Sequence, residues 1–314
     1  MSSNLESALQ RLLGKKDWMS VFLVEEYDPE KDSDSTRQFM LAMRETRPLV
    51  SEFSAKLADQ IIGYCLPRKR LLKAIKDSAD NPNDLSAAMA ALRREARGAF
   101  QQYRAEFPAR SGEGGEMLAY AFTEYHLHAP MALAKMHTKT NSNMPVFGAD
   151  GIHLRYVSEA GQLEVFYLES KVHDKLSTGV RDAAQSIREL LDGSQRNREL
   201  RLALDFGNFD DMDETAQQAL EDFLDPYGAK TADRLDRHVC VIAYSEAAYQ
   251  HASHGAEMEE IRGIFRSDFG HRMSRVETAY AEKELPADKI TTFVVGLPSV
   301  KDFRHEFERA LSNG

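Results

Sequence analysis

The segment Leu163-Glu164-Val165-Phe166-Tyr167-Leu168 is apolar on both sides of any strand it forms, because strand side chains alternate between two faces. Such a strand is central and covered by two layers, which points to an α/β architecture. It runs directly into Glu169-Ser170-Lys171. Leu163, Val165, Tyr167, Glu169 and Lys171 share one side, while Phe166 and Leu168 point the other way. A carboxylate and an ammonium therefore emerge together at the end of a core strand. Charge there is expensive unless something compensates it: a metal ion with a phosphate would do so, and a structural ion pair between Glu169 and Lys171 is the plainer reading.

The preceding segment completes a hairpin. Met144-Pro145-Val146-Phe147 leads through Gly148 and Ala149 to Asp150, after which Ile152, Leu154 and Tyr156 alternate with His153 and Arg155. Ser158-Glu159-Ala160-Gly161 supplies the turn. Antiparallel pairing then brings Asp150, at the start of one strand, toward Glu169, at the end of the other. Two carboxylates beside a lysine suit a hard divalent cation, Mg²⁺ or Mn²⁺, and the metal-assisted cleavage of a phosphodiester. Upstream, Gly112-Glu113-Gly114-Gly115 precedes Glu116, and Met117, Leu118, Ala121, Phe122 and Tyr125 recur at helical spacing. A third carboxylate can thus lean over the sheet from a first helical turn, where an acidic side chain also complements the helix dipole.

These residues resemble the PD-(D/E)xK nuclease superfamily, whose core is a central mixed sheet flanked by helices. The resemblance implies that Asp150, Glu169, Lys171 and Glu116 are catalytic, with Glu116, Asp150 and Glu169 holding the metal and Lys171 orienting water or offsetting phosphate charge. The usual proline before the aspartate is replaced by Ala149. More narrowly, the run Met144 to His153, with Leu168-Glu169-Ser170-Lys171, is similar to the nuclease subunit of Hachiman antiphage systems. That likeness implies DNA as substrate and a DNA helicase as partner. Gln185 resembles the accessory glutamine of some superfamily members, although an exposed helix position is the plainer reading of it. A nuclease-fold subunit that binds DNA or the helicase without cutting is the alternative.

Basic residues near the hairpin are sparse. Lys135 and Lys139 precede it, where they could steer a nucleic-acid strand, and His173 follows it, where it could approach a phosphate or simply cap the strand. The densest basic cluster, Pro67-Arg68-Lys69-Arg70 with Lys73 and Lys76, also reads as a solvated helix face. A net charge of −10 excludes a protein that coats nucleic acid through a broad basic surface. Half of the ten histidines fall between residues 126 and 173. His126 and His128 end a helix, however, where residues two apart do not share a face, and nothing nearby completes a three-ligand zinc site.

The chain of 314 residues, 42% hydrophobic and 29% charged, is long enough for one large domain or two modest ones. No apolar run approaches the roughly 20 residues that span a bilayer, and the first residues do not resemble a signal peptide. A cytoplasmic protein with no membrane association is expected, with Cys65 and Cys240 as reduced core thiols. Residues 1–110 read as a mixed, mostly helical N-terminal region suited to partner docking, and residues 111–314 as the nuclease-like core. Within the first, Trp18 to Val24 reads as a strand, and Val50, Phe53, Leu57 and Ile61 as one helix. Within the second, Ser177 or Thr178 caps a helix, His238 to Tyr244 and Ile290 to Val295 form strands around a long helical stretch from about 256 to 281, and Ser299 caps a final helix.

Overall fold

The computed structural model describes residues 2–27, 35–106, 112–134, 136, 148–191, 193–209, 211–228 and 233–313. In chain order its helices are α1 (Ser2–Gln10), α2 (Met19–Phe22), α3 (Val50–Ala58), α4 (Ile61–Cys65), α5 (Arg68–Asp77), α6 (Pro82–Glu106) and α7 (Glu113–Leu127), followed by α8 (Leu176–Leu190), α9 (Gly193–Phe206), α10 (Glu214–Leu224), α11 (Met258–Ser267), α12 (Phe269–Glu282) and α13 (Val300–Asn313). The strands are β1 (Leu23–Glu26), β2 (Thr36–Leu41), β3 (Met43–Arg44), β4 (Arg47–Pro48), β5 (Met131–Ala134), β6 (Gly151–Val157), β7 (Gln162–His173), β8 (Arg234–Ser245) and β9 (Ile290–Leu297).

Seven strands form one mixed sheet in the order β1-β2-β9-β8-β7-β6-β5, and β3 pairs with β4 apart from it. β7, β8, β9 and β2 run parallel, and antiparallel pairs close the two ends. The expected β6–β7 hairpin is present, with Gly151 opposite Leu168 and Val157 opposite Gln162. Gly161 closes its turn at φ +63, a left-handed conformation that glycine adopts without strain.

Alternation along β7 divides the core into two clusters. Phe166, Leu168 and Val172 join Met117, Leu118 and Phe122 of α7, together with Phe53 of α3 and Phe303 of α13. Leu163, Val165 and Tyr167 join Leu5 and Leu9 of α1, Leu200 of α9 and Phe223 of α10. The architecture is α/β, with a central sheet covered by helices on both faces.

The structure departs from the sequence reading at several local points. The run expected as a strand over 18–24 opens with the helical turn of α2, and extended backbone starts at Leu23. The helix expected through Ile61 is broken at Asp59 and Gln60 into α3 and α4. α8 starts at Leu176, ahead of Ser177 and Thr178, and carries no side-chain cap. The stretch from 256 to 281 is two helices that meet at Asp268. β2, which the sequence did not signal, inserts beside β9, so the first 110 residues contribute β1 and β2 to the central sheet. Met144 to Phe147 lie outside the described residues.

Candidate functional site

β7 carries Glu169 and Lys171 at the end of its buried stretch, and the two form an ion pair with Nζ 2.5 Å from Oε1. Glu169 is 6% exposed. Burial pulls the Lys171 ammonium toward its neutral form, but Glu169 and then Asp150 outweigh it and hold the lysine above its ordinary pKa. Lys171 is therefore a firm cation at neutral pH. In the sheet register Glu169 stands beside Cys240 of β8. Burial and the neighbouring Glu169 push that thiol up to about 12, so it stays protonated and inert.

Asp150 enters from the other arm of the hairpin. Its backbone N–H donates to the Leu168 carbonyl at 2.8 Å, which extends the ladder by one residue. Its Oδ2 accepts from the Ser170 N–H at 2.9 Å and from the Ser170 hydroxyl at 2.8 Å. The chain reaches this position through Gly148 at φ +144. A Cβ there would stand 1.6 Å from Oε1 of the buried Glu199, so only glycine admits this path.

Glu116 comes from the first turn of α7. A Cβ at the adjacent Gly115 would meet Val172 Cγ2 at 2.6 Å, and Ser170 Oγ would lie 3.4 Å away. The absence of that side chain lets the helix settle directly on β7. Tyr64 of α4, 1% exposed, donates its hydroxyl to Glu116 Oε2 at 2.8 Å. Burial, then the charges of Glu116 and Asp150, push the Tyr64 phenol well above its ordinary pKa. It remains a donor throughout the physiological range.

The structure thus sets Asp150, Glu169 and Lys171 at the open end of one hairpin, with Glu116 entering from α7 on the other face of β7. Gly115 of α7 rests on the Ser170 and Val172 side of β7, whereas Gly179 of α8 rests against His173 on the other side. Period-two alternation puts Glu169 and Lys171 on the α8 side. Asp150 lies between the two sets, its charge felt by both Tyr64 and Lys171. Among the described residues no group of three or more His, Cys, Asp or Glu side chains stands ready to hold a metal ion. Glu116, Asp150 and Glu169 are all buried, and carboxylate oxygens are the donors that hard divalent cations take.

The remaining candidates lie farther out. Half-buried His173 has Nε2 3.4 Å from Asp182 Oδ2, and burial lowers its pKa. Gln185 is exposed on α8, donating to Glu189 and accepting from Lys283, both at 2.8 Å. Lys135 and Lys139 lie outside the described residues. Tyr64 and Ser170 escaped sequence reasoning. The first sits 52 residues before Glu116 in an unremarkable apolar run, and the second occupies the unspecified middle position of the tripeptide.

A mixed seven-stranded sheet flanked by helices, with buried carboxylates on its β6–β7 hairpin and on α7, is consistent with a nuclease-like α/β core. The HamA family model matches residues 17–311, and the chain belongs to the HamA family. HamA is a component of the multi-component Hachiman antiphage defence systems. No curated protein matches the chain. Among the described residues no helix is long and apolar enough to cross a membrane.

Proposed function

We propose that this HamA protein is a divalent-metal-dependent deoxyribonuclease of the PD-(D/E)xK type, acting as the effector of a DNA helicase complex. The observation that carries this reading is a set of three carboxylates, Glu116, Asp150 and Glu169, each at least 92% shielded from solvent, with the charge of Asp150 felt both by Tyr64, the partner of Glu116, and by Lys171, the partner of Glu169. Buried carboxylates in such number are costly to fold around unless a function retains them.

Glu116, Asp150 and Glu169 would hold Mg²⁺ or Mn²⁺. When bound, the ion supplies Lewis-acid stabilisation of charge on the scissile phosphate. The chain's own contribution is positional. Ser170 fixes the Asp150 carboxylate by two hydrogen bonds, and Tyr64 fixes Glu116 by one. Lys171, kept cationic by Glu169, offsets the negative charge of the phosphate or orients the attacking water. Its firm protonation argues against a role as general base.

A second reading is favoured by one observation: Glu169 closes on Lys171, and the carboxylates form no ready metal cage among the described residues. In that reading the chain is a nuclease-fold subunit that binds DNA or the helicase without cutting. The two are separated by incubating the protein and its helicase complex with DNA, with chelator and then with Mg²⁺, Mn²⁺ or Zn²⁺. The nuclease reading requires cleavage with Mg²⁺ or Mn²⁺ and none in chelator. Full activity in chelator, or recovery by zinc alone, would contradict it. Co-purification with the helicase tests the partnership itself. The acidic chain is expected to cut slowly alone and efficiently when an engaged, ATP-hydrolysing helicase delivers DNA.

A further inference from the structure

Helix α5 stands out on an acidic protein. Over Arg68–Asp77 it carries Arg68, Lys69, Arg70, Lys73 and Lys76 against the single acid Asp77. None of its residues is buried, and only the half-buried Leu71 and Ala74 pack against the main core. Lys69, Lys73 and Lys76 are spaced i, i+4, i+7 and form one exposed stripe, roughly 10 Å long at 1.5 Å per residue.

The charge order works against the helix. Arg68, Lys69 and Arg70 crowd the first turn, which holds no acid, although the helix dipole favours negative groups there. Like charges at i and i+4 cost a few tenths of a kcal/mol more. Both penalties vanish when the stripe faces a polyanion. Lys73 pairs with Asp77 at 2.6 Å and Arg70 with Glu95 at 2.5 Å, all exposed. Such surface pairs are weak and exchange readily for phosphate. Among the described residues neither Lys69 nor Lys76 is ion-paired.

Position links α5 to the hairpin. The helix starts three residues after α4, which carries Tyr64. Arg68 is anchored, its N–H donating to Asn208 Oδ1 and its Nε to Asp211 Oδ2, both at 2.9 Å. Arg68 lines, together with Tyr120, a cavity of about 210 Å³. Tyr120 lies one turn along α7 from Glu116, roughly 6 Å, and its ring centroid is 5.7 Å from that of Tyr64.

We propose that the Lys69, Lys73 and Lys76 stripe of α5, with Arg70 beside it, binds the phosphate backbone of DNA and guides it toward the Asp150 site. The inference rests on the DNA-directed reading above and names the surface through which it works. Three phosphate contacts predict a log–log salt slope of about −2.1 for single-stranded and about −2.7 for double-stranded DNA, and so a roughly 20- to 40-fold loss of affinity between 50 and 200 mM salt. That is weak at physiological salt and measurable below it, as a chain dependent on helicase delivery requires.

The test is fluorescence anisotropy in chelator with labelled single- and double-stranded oligonucleotides over that salt range. It compares the wild type, the triple variant Lys69→Glu, Lys73→Glu, Lys76→Glu, and a triple Lys→Arg control. Circular dichroism and the melting midpoint verify the fold, with triple Lys→Gln replacing the glutamate variant if that one fails to fold. At 50 mM salt the glutamate variant should bind at least tenfold more weakly than wild type and lose two to three units of slope, while the arginine control retains both. Whichever oligonucleotide shows the larger loss identifies the strand form that lies on α5. Unchanged affinity and slope would overturn the proposal, as would wild type lacking salt-dependent binding. Retained DNA binding with lost helicase co-purification would overturn it in favour of a protein-docking helix. Cleavage assays on the same preparations keep the two readings apart. Glu169-dependent cutting with lysine-independent binding sinks the α5 surface alone, whereas lysine-dependent binding without Glu169-dependent cutting sinks the nuclease reading alone.

Discussion

Asp150 and Ser170 are joined by two hydrogen bonds to a single oxygen: the Ser170 N–H at 2.9 Å and its hydroxyl at 2.8 Å both donate to Asp150 Oδ2. The residue that sequence motifs leave unspecified is the one that fixes the carboxylate. Ser170→Ala removes one donor and keeps the other. We expect it to weaken activity by roughly one to two powers of ten, the scale of one hydrogen bond to a charged group. Asp150→Asn should cost about 10²-fold or more, with the Asp150 to Leu168 backbone bond intact. Equal cleavage rates for wild type and Asp150→Asn would rule out the role given to this carboxylate.

Tyr64→Phe leaves the Glu116 carboxylate without its hydroxyl donor in a buried setting. The expected cost is about 1–3 kcal/mol of stability, read by denaturant unfolding. A purely structural tyrosine would stop there. A positioning role adds a rise in the Mg²⁺ or Mn²⁺ concentration needed for half-maximal cleavage, and that rise should be absent when Tyr64→Phe is made on a Glu116→Gln background.

Two glycines mount the site, and their alanine variants should differ in severity. Gly115→Ala places a Cβ 2.6 Å from Cγ2 of Val172, a short, β-branched core side chain, so α7 must shift from β7. A loss of about 1–3 kcal/mol is expected, typical of overpacking. Gly148→Ala meets Glu199 at 1.6 Å and also forces a non-glycine residue to φ +144. Its thermal unfolding midpoint should therefore drop further, and its nuclease activity with it, because the altered segment leads directly into Asp150.

Stability should fall in mild acid. His153 is fully buried, with Nδ1 2.7 Å from the Ala129 carbonyl, and desolvation lowers its pKa to about 3. The unfolded chain takes up that proton near pH 6.5 and the folded chain only near pH 3, so unfolding binds a proton between these values. Stability contributed by neutral His153 is present above pH 6.5 and is lost as pH falls through the window toward 3, by up to about 1.4 kcal/mol per pH unit. Urea midpoints between pH 7 and 5 check this: His153→Gln should flatten the dependence, and an unchanged slope would contradict it.

The hairpin was legible because two physical signals coincide there. Alternation sets the faces of Ile152, Leu154 and Tyr156, and a doubly apolar strand leads into Glu169 and Lys171. β2 and β5 were not legible. Thr36–Leu41 is placed beside β9, from the far end of the chain, and Met131–Ala134 is four residues long and pairs with β6 through an irregular register, so pairing and not local pattern makes them strands. Tyr64 was hidden for a related reason, since its hydroxyl acquires meaning only when α4 packs beside α7. Gln185 shows the reverse: its position on the helix after β7 matches a motif, yet its side chain is committed to Glu189 and Lys283.

The central claim, that the Glu169 and Lys171 end of β7 performs phosphodiester cleavage, is tested most directly by one comparison. Linear and circular DNA are incubated with Mg²⁺ and the helicase complex containing wild type, Glu169→Ala or Lys171→Ala, each shown by circular dichroism to be folded. Wild type should degrade the DNA, and each variant should lose about 10²-fold or more of that activity. Near-normal cleavage by both folded variants, or no cleavage by the wild-type complex under any divalent ion, would contradict the claim.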